Sequence, residues 1–264
     1  MDYAVFAQSF GQIRAMETKL LGKPKINALL ESASYSDCVV RLRDTGYGKY
    51  ISASAGREWL KSAIEDLYAK MYRIVPIRCV VDIPAIKYDV HNLKCLIKGK
   101  LAVRDLSDML IDAGTIPKGT LCGLFERNDF GAMPEVLARS ADKACTDYKE
   151  SSDPQDIDIG MDKAMFEYMG AVADQSGMEF LIDYVRFITD TANIRAFIRI
   201  RSQRRGIGTL KKSLIPGGKL DVRVFEELFN EPIGRFREKL LYTEYDGWAE
   251  EGIGAYMECG DISA

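Results

Sequence analysis

The chain has 264 residues, of which 47% are hydrophobic and 28% charged, and its formal net charge is −3. This length allows one large domain or two to three small ones, with enough apolar residues for a sizeable core. The acidic balance disfavours wholesale nucleic-acid binding, and no run approaches the roughly 20 apolar residues that a membrane-spanning helix needs.

The first elements in chain order are helices. The sequence MDYAVFAQSF has neither a basic segment nor a long apolar run, so it does not have the pattern of a signal peptide. Phe6, Phe10, Ile13 and Leu20 mark one face of a first helix, and residues 57–75 form an amphipathic one. The six cysteines lack the CxxC spacing of a metal site, which favours a reducing cytoplasm.

The next helix contains a sequence that the chain repeats. Within CVVDIPAI, Asp82 is expected to be the N-cap, with Pro84 in the first turn, where its missing N–H costs little. The segment DVHNLKCLIKGK follows at 89–100, and its near copy DTANIRAFIRIR lies 101 residues later, at 190–201. Self-similarity of this kind indicates an internal repeat.

Each copy of this helix carries a polar pair beside an apolar stripe. Asp89 and Asn92 lie three residues apart, as do Asp190 and Asn193. A half-buried Asp or Asn without hydrogen-bond partners costs about 1–3 kcal/mol. We therefore expect these four residues to fix the register between helices, by bonding to neighbouring backbone or to Thr-x-Tyr hydroxyls; a binding site is the alternative. The core-facing stripes are expected to be Ile86, Val90, Leu93 and Ile97 in the first copy and Phe187, Thr191, Ile194 and Ile198 in the second.

Basic residues follow the same spacing. Lys94 and Lys98 share the face opposite the stripe, and Arg195 and Arg199 do so in the second copy. The second copy runs on into IRIRSQRR, at 198–205. The simpler interpretation is a solvated helix end, where cations suit the helix dipole, and the alternative is a surface that meets an acidic partner. The candidate partner contacts are Lys94, Lys98, Arg195, Arg199, Arg204 and Arg205.

Further marks extend the repeat to the whole chain. Thr-x-Tyr occurs at 45–47, 146–148 and 243–245, and helix starts are expected 11 or 12 residues earlier, at Ser34, Pro134 and Pro232. The segment IPKGTL (116–121) is paired with IPGGKL (215–220). These marks predict three units, 1–102, 103–202 and 203–264. The third lacks an Asp-x-x-Asn helix, which would fall near position 290, and we interpret this as truncation rather than a natural end.

No motif predicts catalysis, a cofactor or a metal site. GYGKY (46–50) lacks the spacing and the strand–helix setting of a phosphate loop. In DIDIGMDKAMFE (156–167), Gly160 stands fifth rather than sixth as a calcium loop requires, so the acidic stretch 149–163 is expected to be a solvated loop. His91 is the only histidine and is expected to be exposed, which argues against a Ser-His or Cys-His nucleophile.

Several segments together resemble a known family. AVFAQSFGQIRAMETKLL near the start, the two Asp-x-x-Asn helices, the Thr-x-Tyr motifs and SLIPGGKLDVRVFEEL resemble the C subunit of the bacterial and archaeal V/A-type rotary ATPases, which is related to the d subunit of the eukaryotic vacuolar ATPase. The resemblance covers essentially the whole chain. It implies an all-α fold of three similar helical bundles around a pseudo-threefold axis, forming a funnel, with the third bundle incomplete.

The resemblance also implies a function. Proteins of this kind are non-catalytic rotor parts on the cytoplasmic side of the membrane, and they couple the central-shaft subunits to the proteolipid ring for ATP-linked transport of H⁺ or Na⁺. No cofactor, small-molecule substrate or nucleic acid is expected. Two rival classes stay open: a helical scaffold that binds nucleic acid through its basic stripes, with salt-sensitive affinity, and a helical enzyme with a pocket of acids of perturbed pKa.

Overall fold

The computed structural model describes residues 3–51, 58–247 and 252–253. Throughout these ranges the regular structure is helical, with short 3-10 turns and no β-strand, which confirms the all-α class. The α-helices are α1 Ala7–Glu17, α2 Lys23–Leu30, α3 Tyr35–Arg43, α4 Glu58–Ile74, α5 Cys79–Leu101, α6 Lys118–Glu126, α7 Glu135–Ser151, α8 Pro154–Ser176, α9 Glu179–Ser202, α10 Ile207–Ser213, α11 Val222–Glu227 and α12 Ile233–Leu240.

The chain divides into two compact units, Met1–Asp129 and Phe130–Ala264. The repeated helices are α5 in the first unit and α9 in the second. They end at Leu101 and Ser202, next to the boundaries that the sequence suggests. The division into three repeats and their arrangement as a funnel stay predictions.

Helix α5 is the central element of the first unit. Its expected apolar stripe, Ile86, Val90, Leu93 and Ile97, is at most 2% exposed, which confirms the core-facing assignment. Helix α4 packs against one part of α5, and α6 packs against another. Each fully buried aliphatic side chain of this kind contributes about 1.5–3 kcal/mol to stability, so the stripe is enough to fix the helix in place.

The start of α5 differs from the prediction. The helix begins at Cys79, so Asp82 lies in its first turn rather than at the N-cap, and Pro84 lies inside the helix. Two tyrosines of α4 bond to this turn: the Tyr72 hydroxyl donates to Oδ1 of Asp82 at 2.9 Å, and the Tyr68 hydroxyl donates to the Pro84 carbonyl at 3.1 Å. These tertiary bonds satisfy the Asp82 carboxylate and the Pro84 carbonyl inside the structure, whereas local sequence rules place both residues at the start of a helix.

The second unit is built on the three long helices α7, α8 and α9, which pack side by side. Only two residues separate α7 from α8, and Asp153 caps α8 by accepting a hydrogen bond from the Gln155 N–H at 2.9 Å. The acidic stretch 149–163 is therefore almost wholly helical, and the expectation of a long solvated loop is wrong. The calcium-like segment 156–167 likewise lies within α8.

Aromatic side chains join α9 to the last helices of the second unit. The Phe197 ring of α9 stacks on Phe236 of α12, with 4.2 Å between ring centroids, and meets Phe225 of α11 edge to face at 6.0 Å. Tyr245 stacks on Phe187 at 5.5 Å. Phe197, Phe225 and Phe236 are fully buried, so this cluster is the hydrophobic centre that holds α11 and α12 on α9.

Candidate functional site: two buried aspartate–asparagine clamps

The asparagine of each repeated helix holds the backbone of the segment that follows it. The Asn92 amide nitrogen donates to the Ile111 carbonyl at 2.8 Å, and the Ile111 N–H donates to Asn92 Oδ1 at 2.9 Å. Asn193 and Ile215 make the same two bonds, at 2.7 and 2.8 Å. Because one amide side chain both donates and accepts, it pairs a backbone residue completely, as a neighbouring strand would.

The aspartate of α5 binds the same segment further on. Oδ2 of Asp89 accepts hydrogen bonds from the N–H of Thr115 at 2.9 Å and from its hydroxyl at 2.6 Å. Oδ1 accepts from the Ile116 N–H at 3.0 Å. These donors enclose the carboxylate just ahead of α6. Without Asp89, the backbone N–H groups of Thr115 and Ile116 would lack these acceptors.

The aspartate of α9 makes the corresponding contacts in the second unit. Asp190 accepts from the N–H of Lys219 at 2.7 Å and from the N–H of Leu220 at 3.1 Å. Its third donor is the Tyr245 hydroxyl, at 2.7 Å from Oδ2. We call the two arrangements the Asp89–Asn92 clamp and the Asp190–Asn193 clamp. Both occupy the same place relative to the helix that follows, α6 in the first unit and α11 in the second.

A glycine in each clamped segment makes room for the carboxylate. A Cβ atom placed on Gly114 would overlap Oδ1 of Asp89, and one placed on Gly218 would overlap Oδ1 of Asp190. The segments LIDAGTI (110–116) and LIPGGKL (214–220) are therefore true counterparts. The pairing of IPKGTL with IPGGKL is therefore wrong by five residues. It aligns Ile116 with Ile215 through the shared Ile-Pro dipeptide, whereas the hydrogen bonds align Ile111 with Ile215 and the glycine contacts align Gly114 with Gly218.

The four clamp residues are more deeply buried than expected. Asp89, Asn92, Asp190 and Asn193 are all at most 1% exposed, so they lie in the core rather than at its edge. In α9 the expected stripe is displaced toward this polar pair: among its four positions only Ile194 is fully buried. The cause is the segment that folds back over the polar side of the helix and covers it.

Burial raises the pKa of the carboxyl group in each clamp. It raises the pKa of Asp89 above its usual value, against the opposing effect of the hydrogen bonds from Thr115 and Ile116. Burial likewise raises the pKa of Asp190, opposed by Tyr245 and by two backbone N–H groups. Desolvation therefore outweighs donor stabilisation in both clamps. Three donors of the protein itself surround each carboxyl group.

The Thr-x-Tyr motifs fall into two kinds. Thr45 and Thr243 each donate a hydroxyl hydrogen bond, at 2.6 Å, to the carbonyl three residues earlier, and each motif forms a turn after a helix. Thr146 instead lies inside α7. The expected bond from a Thr-x-Tyr hydroxyl to a clamp is thus present for Tyr245, while the second motif is only a sequence match. The helix starts at Ser34, Pro134 and Pro232 are confirmed as N-caps.

Three of the candidate contact residues come together in the second unit. Arg195, Arg199 and Arg205 line a cavity of about 420 Å³ between α8, α9 and α10. Its wall also includes Asp158 and Asp162 from α8, so the cavity has mixed charge. Arg195 and Arg199 are exposed on α9, as expected for a solvated face or a contact surface.

The other candidates differ in setting. Lys94 and Lys98 of α5 are partly buried rather than fully exposed. His91 is also partly buried, with its ring nitrogen Nε2 at 2.9 Å from the Met109 carbonyl, so the expectation of an exposed histidine is wrong. Arg204 follows α9 with a φ of 54°, the left-handed conformation that ends a helix.

One basic residue that the sequence did not single out has a structural role. Arg201 donates to the carbonyls of Leu228 and Phe229, and its guanidinium lies 5.4 Å from the centre of the Phe197 ring. The planar guanidinium can bind two carbonyls while covering an aromatic face. Part of the basic run IRIRSQRR therefore belongs to the core of the second unit. The spacing from Phe197 to Arg201, four residues on a helix, was the available signal.

Within 3–51, 58–247 and 252–253, no group of three or more His, Cys, Asp or Glu side chains is placed to hold a metal ion. A second cavity in the second unit, of about 670 Å³, is lined by residues that include Lys163, Glu167 and Arg186. Asp89 and Asp190, whose pKa values are raised, line neither of these two cavities.

The described part of the chain is all-helical, and two of its helices, α5 and α9, carry the same buried aspartate–asparagine clamp. In the described part of the chain, no helix combines the length and hydropathy needed to cross a lipid bilayer. The family model for the ATP synthase (C/AC39) subunit matches residues 10–262, and the chain therefore belongs to that family. This family consists of rotary ATPase components, in agreement with the resemblance carried by the repeated helices.

Individual relatives carry the same description. The C subunit of the A-type ATP synthase from Methanocaldococcus jannaschii is 28% identical over 223 aligned positions, which cover 75% of this chain and 55% of the relative. The C subunits from Pyrococcus abyssi and Pyrococcus horikoshii are 26% and 27% identical over 99% and 98% of this chain, and over 74% of their own lengths. This chain thus spans about half of the first relative and about three quarters of the other two.

Proposed function

We propose that this chain is a non-catalytic rotor component of an A-type ATP synthase or a related V-type ATPase, and that it joins the central shaft to the membrane proteolipid ring. The observation that carries the proposal is the family match across residues 10–262. The matched relatives are named as the C subunit of an A-type ATP synthase, so the partners of this chain are other components of such a complex.

The clamps support a mechanical function. A part that transmits torque must resist relative movement of its helices, and close-packed interiors with satisfied polar networks have low compressibility. Asp190 and Asn193 bond α9 to the segment before α11, and Phe197 packs on α12. Bending the second unit at this point would break several hydrogen bonds and an aromatic cluster together.

The candidate contact surface is the exposed basic face of α9. Arg195 and Arg199 lie one turn apart, and neither is used by a clamp. Rings and shafts that present acidic loops would be attracted to such a face, mainly through faster and more specific association. We place the protein on the water side of the membrane, bound to the complex through this face and through Arg204 and Arg205. Lys94 and Lys98 provide the corresponding contacts in the first unit.

Co-purification tests the proposal. A tagged chain expressed in cells that contain an A-type ATP synthase is expected to recover both the proteolipid ring and a central-shaft protein from detergent-solubilised membranes. Recovery of neither, with the tagged chain folded, would refute the proposed function. A titration of salt with generic nucleic acid serves as the comparison, because the rival scaffold predicts binding that weakens steeply with salt.

Charge reversal tests the contact surface separately from the proposed function. Arg195→Glu with Arg199→Glu is expected to lower recovery of the ring or shaft at least tenfold. The matched control is Arg235→Glu with Lys239→Glu, which reverses two exposed charges at the same spacing on α12. Equal recovery of both partners with the two double variants would remove α9 as the contact face while leaving the proposed function intact.

A further inference from the structure

The two cavities of the second unit meet at one lysine. The cavity of about 420 Å³ and the cavity of about 670 Å³ share Lys163, Phe166 and Ile215 in their walls. Lys163 lies in the middle of α8 and is half-buried, and the other two residues provide an apolar wall beside it. A cationic group is thus held at the junction of two cavities of the size that small ligands occupy.

No carboxylate in the described part of the chain pairs with Lys163. Its natural helical partner is Glu167, one turn further along α8, but Glu167 forms an ion pair with Arg139 of α7 at 2.7 Å instead. The two aspartates in the wall of the smaller cavity have interactions of their own. Asp174, in the wall of the larger cavity, lies about 16 Å further along the helix. Burial therefore acts on the lysine without compensation and lowers its pKa.

Arginines add further positive charge to the smaller cavity. Arg195 and Arg199 lie one turn apart in its wall, and neither forms an ion pair with a described residue. Arg205 has a neutral partner, since its Nη1 atom donates to Oε1 of Gln155 at 3.0 Å. With Lys163, these cations outnumber the two aspartates of the same wall, although the chain as a whole has a net charge of −3. A cleft with such an excess of one charge raises the local concentration of anions.

We propose that the smaller cavity binds a small ligand with several phosphate groups, held by the Lys163 ammonium group and the guanidinium groups of Arg195 and Arg199. A guanidinium binds two phosphate oxygens at once, and an ammonium group adds a compact charge. A single carboxylate would leave most of the positive charge unmatched, whereas a polyphosphate carries enough negative charge to match it. The inference does not depend on which complex the protein joins, because Lys163 lies outside the contact face proposed for α9.

Calorimetric titration of the chain of 264 residues with inorganic tripolyphosphate tests this site. Lys163→Met removes the charge and keeps an apolar stem, and it is expected to weaken binding about tenfold or more, as the loss of one hydrogen bond to a charged group does. Lys239→Met on α12 is the matched control, because it makes the same change at an exposed position outside both cavities. This control should bind as the parent does.

Thermal unfolding of the same variants shows whether a loss of binding comes from misfolding. Because Lys163→Met removes a half-buried charge that lacks a partner, its melting temperature without ligand should equal or exceed that of the parent. Tripolyphosphate should raise the melting temperature of the parent, and by less that of Lys163→Met. A lower melting temperature for Lys163→Met without ligand would contradict the proposal, since the protein itself would then satisfy the charge.

Two further probes distinguish the source of the anion. A hexaglutamate peptide and vesicles that contain phosphatidic acid are titrated under the same conditions, and both should bind the parent chain more weakly than tripolyphosphate. Binding of either probe as tight as that of tripolyphosphate, and lost in Lys163→Met, would overturn the proposal, because an acidic protein segment or a membrane surface would then be the occupant. Equal binding of tripolyphosphate by the parent and by Lys163→Met, or no binding to the parent, would also overturn it.

Discussion

The Tyr245 hydroxyl donates a hydrogen bond to Oδ2 of Asp190 across 55 residues of sequence, at 2.7 Å. Both side chains are at most 1% exposed. This bond ties the turn after α12 to the middle of the longest helix in the second unit, so it closes the unit around its aromatic core. It also explains why a carboxylate can be kept in an apolar interior, since each of its oxygens has a donor.

Removing the hydroxyl of Tyr245 measures the strength of this closure. Tyr245→Phe keeps the stacked ring on Phe187 and deletes only the donor. We expect the free energy of unfolding to fall by about 1.5–3 kcal/mol, the usual range for a hydrogen bond to a charged group. The measurement is urea denaturation followed by far-UV circular dichroism. Tyr242→Phe is the control, because that side chain is 99% exposed, and a loss as large in the control would contradict the assignment.

The glycines of the clamped segments should tolerate no side chain. Gly218→Ala and Gly114→Ala place a methyl group where Asp190 and Asp89 hold their oxygens, so each is expected to destabilise its unit by about 2 kcal/mol or more. Gly170→Ala in α8 is the matched control, because nothing lies within 4 Å of its added Cβ, and it should be neutral or stabilising.

A double-mutant cycle distinguishes this overlap from a general effect of alanine. In an Asp190→Ala background, the atom that clashes at position 218 is gone. The loss of unfolding free energy caused by Gly218→Ala should then be smaller than in the parent chain by about 1 kcal/mol or more. Additive costs, measured by the same urea titrations, would mean that the glycine serves another purpose.

The clamp aspartate predicts a pH dependence of stability. Burial raises the folded-state pKa of Asp190 above the unfolded value near 3.8, so the folded state holds its proton more tightly. The contribution of this group to stability is therefore complete below the unfolded pKa and is lost as the pH rises through the folded pKa. Relative to Asp190→Asn, the wild-type chain should lose unfolding free energy as the pH rises from about 4, then reach a plateau.

The control for this titration lies on the same helix. Asn193→Ala breaks the neutral bonds to Ile215 and introduces no titrating group. Its cost should be independent of pH between about 4 and 8. A wild-type minus Asp190→Asn difference that rises over this range would show that hydrogen bonding, not desolvation, dominates the pKa of the buried carboxyl group.

The sequence predicted the repeated helices well because their signal is local. Asp89 and Asn92 recur with the same spacing 101 residues later, and an apolar stripe at helical spacing accompanies the first copy. The expectation that these polar residues bond to backbone is confirmed by the contacts of Ile111 and Ile215. The helix and the backbone bonding of its polar pair were accessible from periodicity and from the cost of burying polar groups.

What the sequence did not predict depends on contacts distant in the chain. The clamps are in the core because a later segment folds over them, and a helical pattern alone places Asp190 at an edge. Letter matching aligned Ile116 with Ile215, whereas the hydrogen bonds align Ile111 with Ile215. The structural use of Arg201 depends on carbonyls 27 and 28 residues away. Such non-local partners leave no mark in a window of one or two helical turns.

Arg201 and Arg199 give the last prediction, because they are two residues apart on α9 and serve different purposes. Arg201 donates to the carbonyls of Leu228 and Phe229, while Arg199 is exposed. Both carbonyls accept from the single Nη1 atom of Arg201; a lysine keeps the positive charge but lacks the planar guanidinium that makes these bonds while lying over the Phe197 ring. Arg201→Lys is therefore expected to lower the free energy of unfolding by about 1–3 kcal/mol, and Arg199→Lys by less than about 0.5 kcal/mol.

Recovery of the partner proteins should depend on these two residues in the opposite order: reversing the charge of the exposed Arg199 should matter more than replacing Arg201. Arg199→Glu should leave thermal unfolding within about 2 °C of the parent, because surface substitutions usually change stability by less than about 0.5 kcal/mol. It should nevertheless reduce recovery of the ring or shaft. Arg201→Lys should lower thermal stability and leave recovery at low temperature intact, since the exposed face of α9 keeps its charge. If both variants changed stability alone, the basic run would be structural throughout.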